Sequence, residues 1–153
     1  SYIAAVAQAS LPFWLLPAIV FVLSAIISFA TGSSWGTFAI MFPLVIPTAI
    51  TIGAPLYVCM GAVLSGGLFG DHSSPISETT ILSSTGANCS QLEHFRTQLP
   101  YALFNGVISI IAFLIAGLTG ASMIIIGALL LQAALLIVLT KRELKLVTTD
   151  LAA

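Results

Sequence analysis

The sequence predicts an all-α membrane protein of about five transmembrane or re-entrant helices with two broken-helix regions. Three observations carry that expectation. Of 153 residues, 59% are hydrophobic and 6% charged, against roughly 25% charged in soluble globular domains. No Asp, Glu, Lys or Arg occurs from Ser1 to Gly70, and a second uncharged tract runs from Thr97 to Thr140, each long enough for spans of about 20 residues. Within the apolar chain, two short polar patches interrupt what would otherwise read as continuous helices.

The elements follow in order. Leu11 to Ala30 is an unbroken apolar run opened by Pro12 and reads as one helix, 11–30. It stops at Thr31-Gly32-Ser33-Ser34-Trp35-Gly36-Thr37, which is polar, uncharged and holds two glycines. A second helix is expected over 38–52, with Pro43 and Pro47 inside it, and Gly53-Ala54-Pro55 is a turn signal. A third, over 56–82, is expected to break near 70–75; its Gly61, Gly66 and Gly67 suit close helix contacts. A loop from Gly86 to Gln98 would hold Glu93, His94 and Arg96, with Pro100 opening a helix over 100–118. Gly120 marks a turn before the last span, 123–140, and 141–153 reads as a basic cytoplasmic tail with Lys141, Arg142 and Lys145.

Orientation follows from the four basic residues. If 100–118 and 123–140 form an antiparallel pair, Arg96 falls on the same side as Lys141, Arg142 and Lys145, and that side is cytoplasmic by the positive-inside rule. The chain is expected to cross the membrane several times, with a cytoplasmic C-terminus. Whether 11–52 makes two full spans or a re-entrant hairpin stays open, because the parity is the same. The chain opens Ser1-Tyr2-Ile3-Ala4, without Met or the basic n-region of a secretory signal, and reads as a piece of a longer protein. Cys59 and Cys89 are too few and too scattered for a disulfide scaffold or a structural zinc site. With net charge −1 there is no basic stripe for nucleic acid.

The strongest candidate site is Asp71 to Thr80. Pro75 has no amide hydrogen and its ring collides with the carbonyl four residues back, so the Asp71 backbone oxygen is expected to lose its helical bond. Unwound backbone at membrane depth is tolerated only where it is enclosed in protein or lines a cavity. Asp71, Ser74, Ser77, Glu78, Thr79 and Thr80 then offer carboxylate, hydroxyl and carbonyl oxygens, the ligands of hard cations. Thr31, Ser33, Ser34 and Thr37, in the first interruption, form the second candidate half-site, as in transporters built on paired discontinuous helices.

A carboxylate in such surroundings has two low-energy forms: burial disfavours the bare anion, and a bound cation favours the ionised state. Proton and Na+ therefore compete for one group. If the site switches sides only when neutralised, that competition is exchange. Asp71 is the leading proton carrier, with Glu78 and His72 as further proton-binding candidates. One carboxylate makes the exchange one for one; a proton on Glu78 as well makes it two for one and driven by membrane potential, at about 2.3 kcal/mol per net charge per 100 mV.

Three stretches resemble signatures of the NhaC-type Na+/H+ antiporter family: Ala30-Thr31-Gly32-Ser33-Ser34-Trp35-Gly36-Thr37; Gly70-Asp71-His72-Ser73-Ser74-Pro75-Ile76-Ser77-Glu78-Thr79-Thr80-Ile81-Leu82-Ser83-Ser84; and Arg96-Thr97-Gln98-Leu99-Pro100-Tyr101-Ala102. The likeness extends from about Leu11 to Leu118, and the middle motif is the most specific. The resemblance implies a bacterial-type secondary transporter of the cell's inner (plasma) membrane, of the ion transporter superfamily, with two inverted repeats, exchanging Na+ for protons. It also implies that this chain is the C-terminal part of a protein about three times as long. Some relatives couple Na+ and protons to malate or lactate. The family usually has Asp where Glu78 stands and often Cys where Ser73 stands.

Expected partners are Na+, protons and the lipid bilayer, with an organic acid as alternative cargo and a second copy of the chain, as a homodimer, a further candidate; no cofactor and no nucleic acid are expected. Competing readings put Asp71 and Glu78 at the cytoplasmic interface as solvated residues, His72 as a helix cap, and Ser33, Ser34 and Thr37 as helix bridges or caps. A passive channel is a further alternative. The rival class, an intramembrane hydrolase, lacks both a Gly-x-Ser-x-Gly elbow and a His-Glu-x-x-His motif. An anion carrier would aim a basic residue or helix N-termini at its substrate, and no Lys or Arg lies in the expected spans.

Overall fold

The computed structural model describes residues 12–121 and 123–150, and every regular element among them is helical. A 3-10 turn, Phe13–Leu15, leads into α1, Leu16–Thr31. Pro17 sits in the first turn of α1, where its missing N–H has no helical acceptor to lose. At the other end Gly32, at φ +66°, returns its N–H to the Ser28 carbonyl, a left-handed cap that suits glycine. Next come α2, Ser34–Ile52, α3, Leu56–Ser73, and the short α4, Glu78–Gly86. α5, Gln91–Thr119, and α6, Ile124–Asp150, complete the chain.

The central pair is α1 and α3. On α3, Gly66 and Gly70 stand one turn apart against α1, where a Cβ would collide with the carbonyl oxygens of Phe21 and Ala25. Small residues at this spacing let two helix backbones touch. Ser28 Oγ uses that closeness to donate 2.6 Å to the Gly67 carbonyl. Phe21, buried on α1, then packs between Phe69 of α3 and Phe113 of α5, with ring centroids 5.8 and 5.4 Å away. Met41, Val45 and Ala49 of α2 close the core against Cys59, Ala62 and Val63 of α3. A further close contact joins Gly117 of α5 to the Trp14 carbonyl.

Three helical stretches, Phe13–Thr31, Ser34–Ile52 and Gln91–Thr119, are long and apolar enough to cross a membrane by length and composition, and Ile124–Val138 is a shorter apolar one. Large apolar side chains such as Ile26, Ile40, Leu44, Ile111 and Ile115 point outward from them, far more than a water-facing surface carries.

Several boundaries differ from those the sequence suggested. α2 starts at Ser34, not Phe38, because the Ser33 side chain accepts from the Gly36 N–H and caps it. The expected 86–98 loop contracts to Ala87–Ser90, so Glu93, His94 and Arg96 are helical. Ser90 caps α5 reciprocally with Glu93: Ser90 Oγ accepts from the Glu93 N–H and donates to its carboxylate. Pro100 therefore lies inside α5 instead of opening it. The last helix continues through the basic segment to Asp150. Leu11, the expected start of the first span, and 151–153 lie outside the described residues.

Candidate functional site

The site forms where the Gly32–Ser33 turn, between α1 and α2, meets the Ser74–Ser77 connection, between α3 and α4. Contact is direct: a Cβ on Gly32 would lie 3.0 Å from the Ile76 carbonyl oxygen, and Ser74 Oγ donates 2.8 Å to the Phe29 carbonyl near the end of α1. Two polar patches 40 residues apart in the chain thus become one.

Asp71 is the carboxylate of this patch. It sits in the last turn of α3, only 4% exposed. Its Oδ1 accepts a 2.5 Å hydrogen bond from Ser77 Oγ, and its Oδ2 accepts one of 3.2 Å from Ser34 Oγ. Ser77 is the N-cap of α4 and Ser34 the first residue of α2. The carboxylate therefore faces the positive ends of two helices, which offsets its place at the negative end of its own. Ser77 Oγ also accepts from the Thr79 N–H at 3.1 Å and lies 2.7 Å from Thr79 Oγ1. Because Ser77 donates to Asp71, Thr79 is the donor of that second pair.

The connection is held mostly by side chains. Pro75 stops α3, as its chemistry requires, yet the Asp71 carbonyl does not go unbonded as expected: it accepts from the Ser74 N–H at 3.0 Å. Thr80 Oγ1 donates to the Ser74 carbonyl at 2.9 Å. From α5, Gln98 Nε2 donates to the His72 carbonyl at 3.0 Å, and Gln91 Nε2 to the Pro75 carbonyl.

Of the residues singled out by sequence, the fold brings Asp71, Ser77, Ser34 and Thr79 into one hydrogen-bonded group, with Ser74 and Thr80 bracing it. The others stand apart from that group. Thr31 bonds back to the Ile27 carbonyl of its own helix, Ser33 caps α2, and Thr37, though fully buried, donates to the Ser33 carbonyl. Glu78 and His72 are exposed on the chain, and neither shares a hydrogen bond with Asp71. Among the described residues no three His, Cys, Asp or Glu side chains gather as a metal cluster; the donor set here is one carboxylate among neutral oxygens.

Gln91 and Gln98 are the site's neighbours that sequence reasoning passed over, and Ser73 entered it only as a position where the family often has Cys. The glutamines are seven apart, which places them on one face of a helix, but that signal needs α5 to begin before Gln91. Ser73, two residues from Asp71, is buried with its Oγ unpartnered. A thiol, the weaker hydrogen-bonding group, forfeits less than a hydroxyl in such a place, which gives a physical reason for Cys to suit this position.

Chemically, the hydroxyls of Ser34, Ser77 and Thr79 each carry one hydrogen and two lone pairs. Turned one way they donate to the carboxylate; turned the other they offer oxygen to a cation beside it. A helical, apolar chain with such a group enclosed at the meeting of two helix ends falls in the class of integral membrane proteins. More specifically, it belongs to the Na+/H+ antiporter family, whose model matches residues 1–118. Relatives include the malate-2H+/Na+-lactate antiporter of Bacillus subtilis, 38% identical over 96 residues, which are 63% of this chain and 20% of that protein. The arginine/ornithine antiporter ArcD of Halobacterium salinarum is 35% identical over 109 residues, 69% and 22% of the two chains. The Na+/H+ antiporter NhaC of Alkalihalophilus pseudofirmus is 31% identical over 97 residues, 63% and 21%. The chain thus spans about a fifth of the length of these relatives. No solved structure matches it.

Proposed function

We propose that the chain carries the ion-coupling carboxylate of a secondary antiporter that exchanges Na+ for protons at Asp71. The observation that supports this most directly is the burial of Asp71 between Ser34 and Ser77, at the meeting of two helix interruptions. A proton on the carboxylate neutralises the site's one charge; Na+, ligated by Asp71 and by hydroxyl oxygens turned toward it, does the same. The site reorients only when loaded with one or the other. The matching patches serve as two discontinuous-helix halves of one site in the plasma membrane, with Arg96 and the basic segment of α6 on the cytoplasmic side. The test uses the full-length protein in membrane vesicles. Asp71→Asn is expected to abolish Na+-driven proton movement with insertion unchanged, and retained exchange overturns the reading.

A second reading, a Na+- and proton-coupled organic-acid exchanger, is favoured by the relative whose name carries malate, lactate, Na+ and protons. Vesicles free of organic acid separate the two. Collapse of an imposed pH gradient by Na+ alone supports the first, and a requirement for malate or lactate supports the second.

A further inference from the structure

The Ser74–Ser77 connection is positioned by a helix that contributes nothing to the carboxylate itself. Where α3 stops, the carbonyls of His72, at an exposed position, and of Pro75, part-buried, have no helical N–H to meet. Both are taken by α5: Gln98 Nε2 donates to His72 O at 3.0 Å, and Gln91 Nε2 donates to Pro75 O. The two amides are seven residues apart, two turns along one face of α5. The carbonyls they hold bracket Ser73 and Ser74, and Ser77, two residues past Pro75, is the donor to Asp71 Oδ1. From this geometry we infer that Gln91 and Gln98 are positioning residues for ion binding: the pair fixes the backbone of the connection so that Ser77 reaches Asp71.

The amides touch neither Asp71 nor its hydroxyl partners, so they act on the ion only through the backbone they grip. The inference rests on the reading of Asp71 as the exchange site. It predicts an effect on Na+ recognition rather than on the amount of protein. Losing a neutral hydrogen bond that holds a ligand in place lowers affinity by about tenfold.

The test compares Gln91→Met, Gln98→Met and Gln98→Glu with Asp71→Asn, all in the full-length protein in vesicles, scoring KM for Na+, maximal rate per inserted molecule and the Na+/Li+ preference. Methionine keeps length and helix preference but cannot donate. The expected result is a KM raised about tenfold in Gln98→Met, with rate per molecule largely kept and the Na+/Li+ preference weakened. Gln91→Met should move the same way. If Gln98→Met does not reach the membrane, Gln98→Glu carries the test, because an ionised carboxylate of the same length also cannot donate to the His72 carbonyl; its KM should rise as well. A KM at or below the wild-type value, or a fall in rate with KM and selectivity unmoved, overturns the positioning role. If Asp71→Asn still exchanges, the reading of the site fails instead; an inactive Asp71→Asn beside glutamine variants of wild-type KM sinks only this inference.

Discussion

Ser34 Oγ stands 3.2 Å from Asp71 Oδ2 and ties the first turn of α2 to the last turn of α3. Together with Ser77 Oγ at 2.5 Å from Oδ1, it assigns each carboxylate oxygen a hydroxyl from a different helix start. The two bonds differ in length, and the predictions for them differ accordingly.

Ser77→Ala removes the shorter bond and the cap of α4 at once. A cap contributes about 1 kcal/mol and a hydrogen bond to a charged group about 1.5–3 kcal/mol. KM for Na+ should rise by at least tenfold and thermal stability in detergent should fall. Ser77→Thr, which keeps the hydroxyl and the cap, should stay near the wild-type values. An unchanged KM in Ser77→Ala would remove Ser77 from the site.

Ser34→Ala removes only the longer bond. The loss should be nearer threefold in KM, roughly 0.6 kcal/mol, below the usual worth of a hydrogen bond. Transport assayed beside Ser77→Ala checks the order, and a larger effect at Ser34 would contradict it.

Gly70→Ala places a methyl group into the Ala25 carbonyl. Overpacking of this kind costs about 1–3 kcal/mol, and the helices must part. The Ser28 to Gly67 and Ser74 to Phe29 bonds span the same interface, so transport should fall along with melting temperature. Gly61→Ala, where nothing lies within 4 Å of the added Cβ, serves as the control and should be neutral in both.

Glu78 lies at the first position of α4 and is exposed on the chain. Its carboxylate favours the helix N-terminus by about 0.3–1 kcal/mol, so Glu78→Gln should lower stability slightly and leave exchange running, with Glu78→Asp closer still to wild type. With Asp71 as the single proton carrier the exchange is one for one, and a potential clamped across the vesicle should not alter its rate. A rate that follows the potential would show a second proton in the cycle.

Much of this is legible in the sequence. The uncharged tracts announced helices in a bilayer, and Pro75 announced a stop, because a missing amide hydrogen is a local fact. The Ser-x-x-Glu spacing at Ser90 and Glu93 was equally local, and it signals a helix start that the more conspicuous Pro100 obscures. Proline late in a pattern reads as an opening, yet this one lies exposed within α5.

The partners of Asp71 were legible only in part. Ser77 is six residues away, within reach of any tight connection, whereas Ser34 is 37 residues away and joins only because α1 and α3 touch through Gly66 and Gly70. Thr37 and Thr31 had the same composition and the same neighbourhood in the chain, but their hydroxyls turn back to carbonyls of their own helix or its cap. A hydroxyl bonds to whichever acceptor lies nearest, and near acceptors in a helix are always at hand.

From the sequence alone came the all-helical, apolar character of the protein, its stop at Pro75 and the carboxylate at position 71, since each depends on side-chain chemistry or backbone sterics within a few residues. Tertiary packing alone decided that Ser34, not Thr31 or Thr37, meets that carboxylate, and that Gln91 and Gln98 take the carbonyls left over where α3 ends. Those choices depend on how closely two backbones approach and at what rotation, a property of facing surfaces that no single stretch of chain contains.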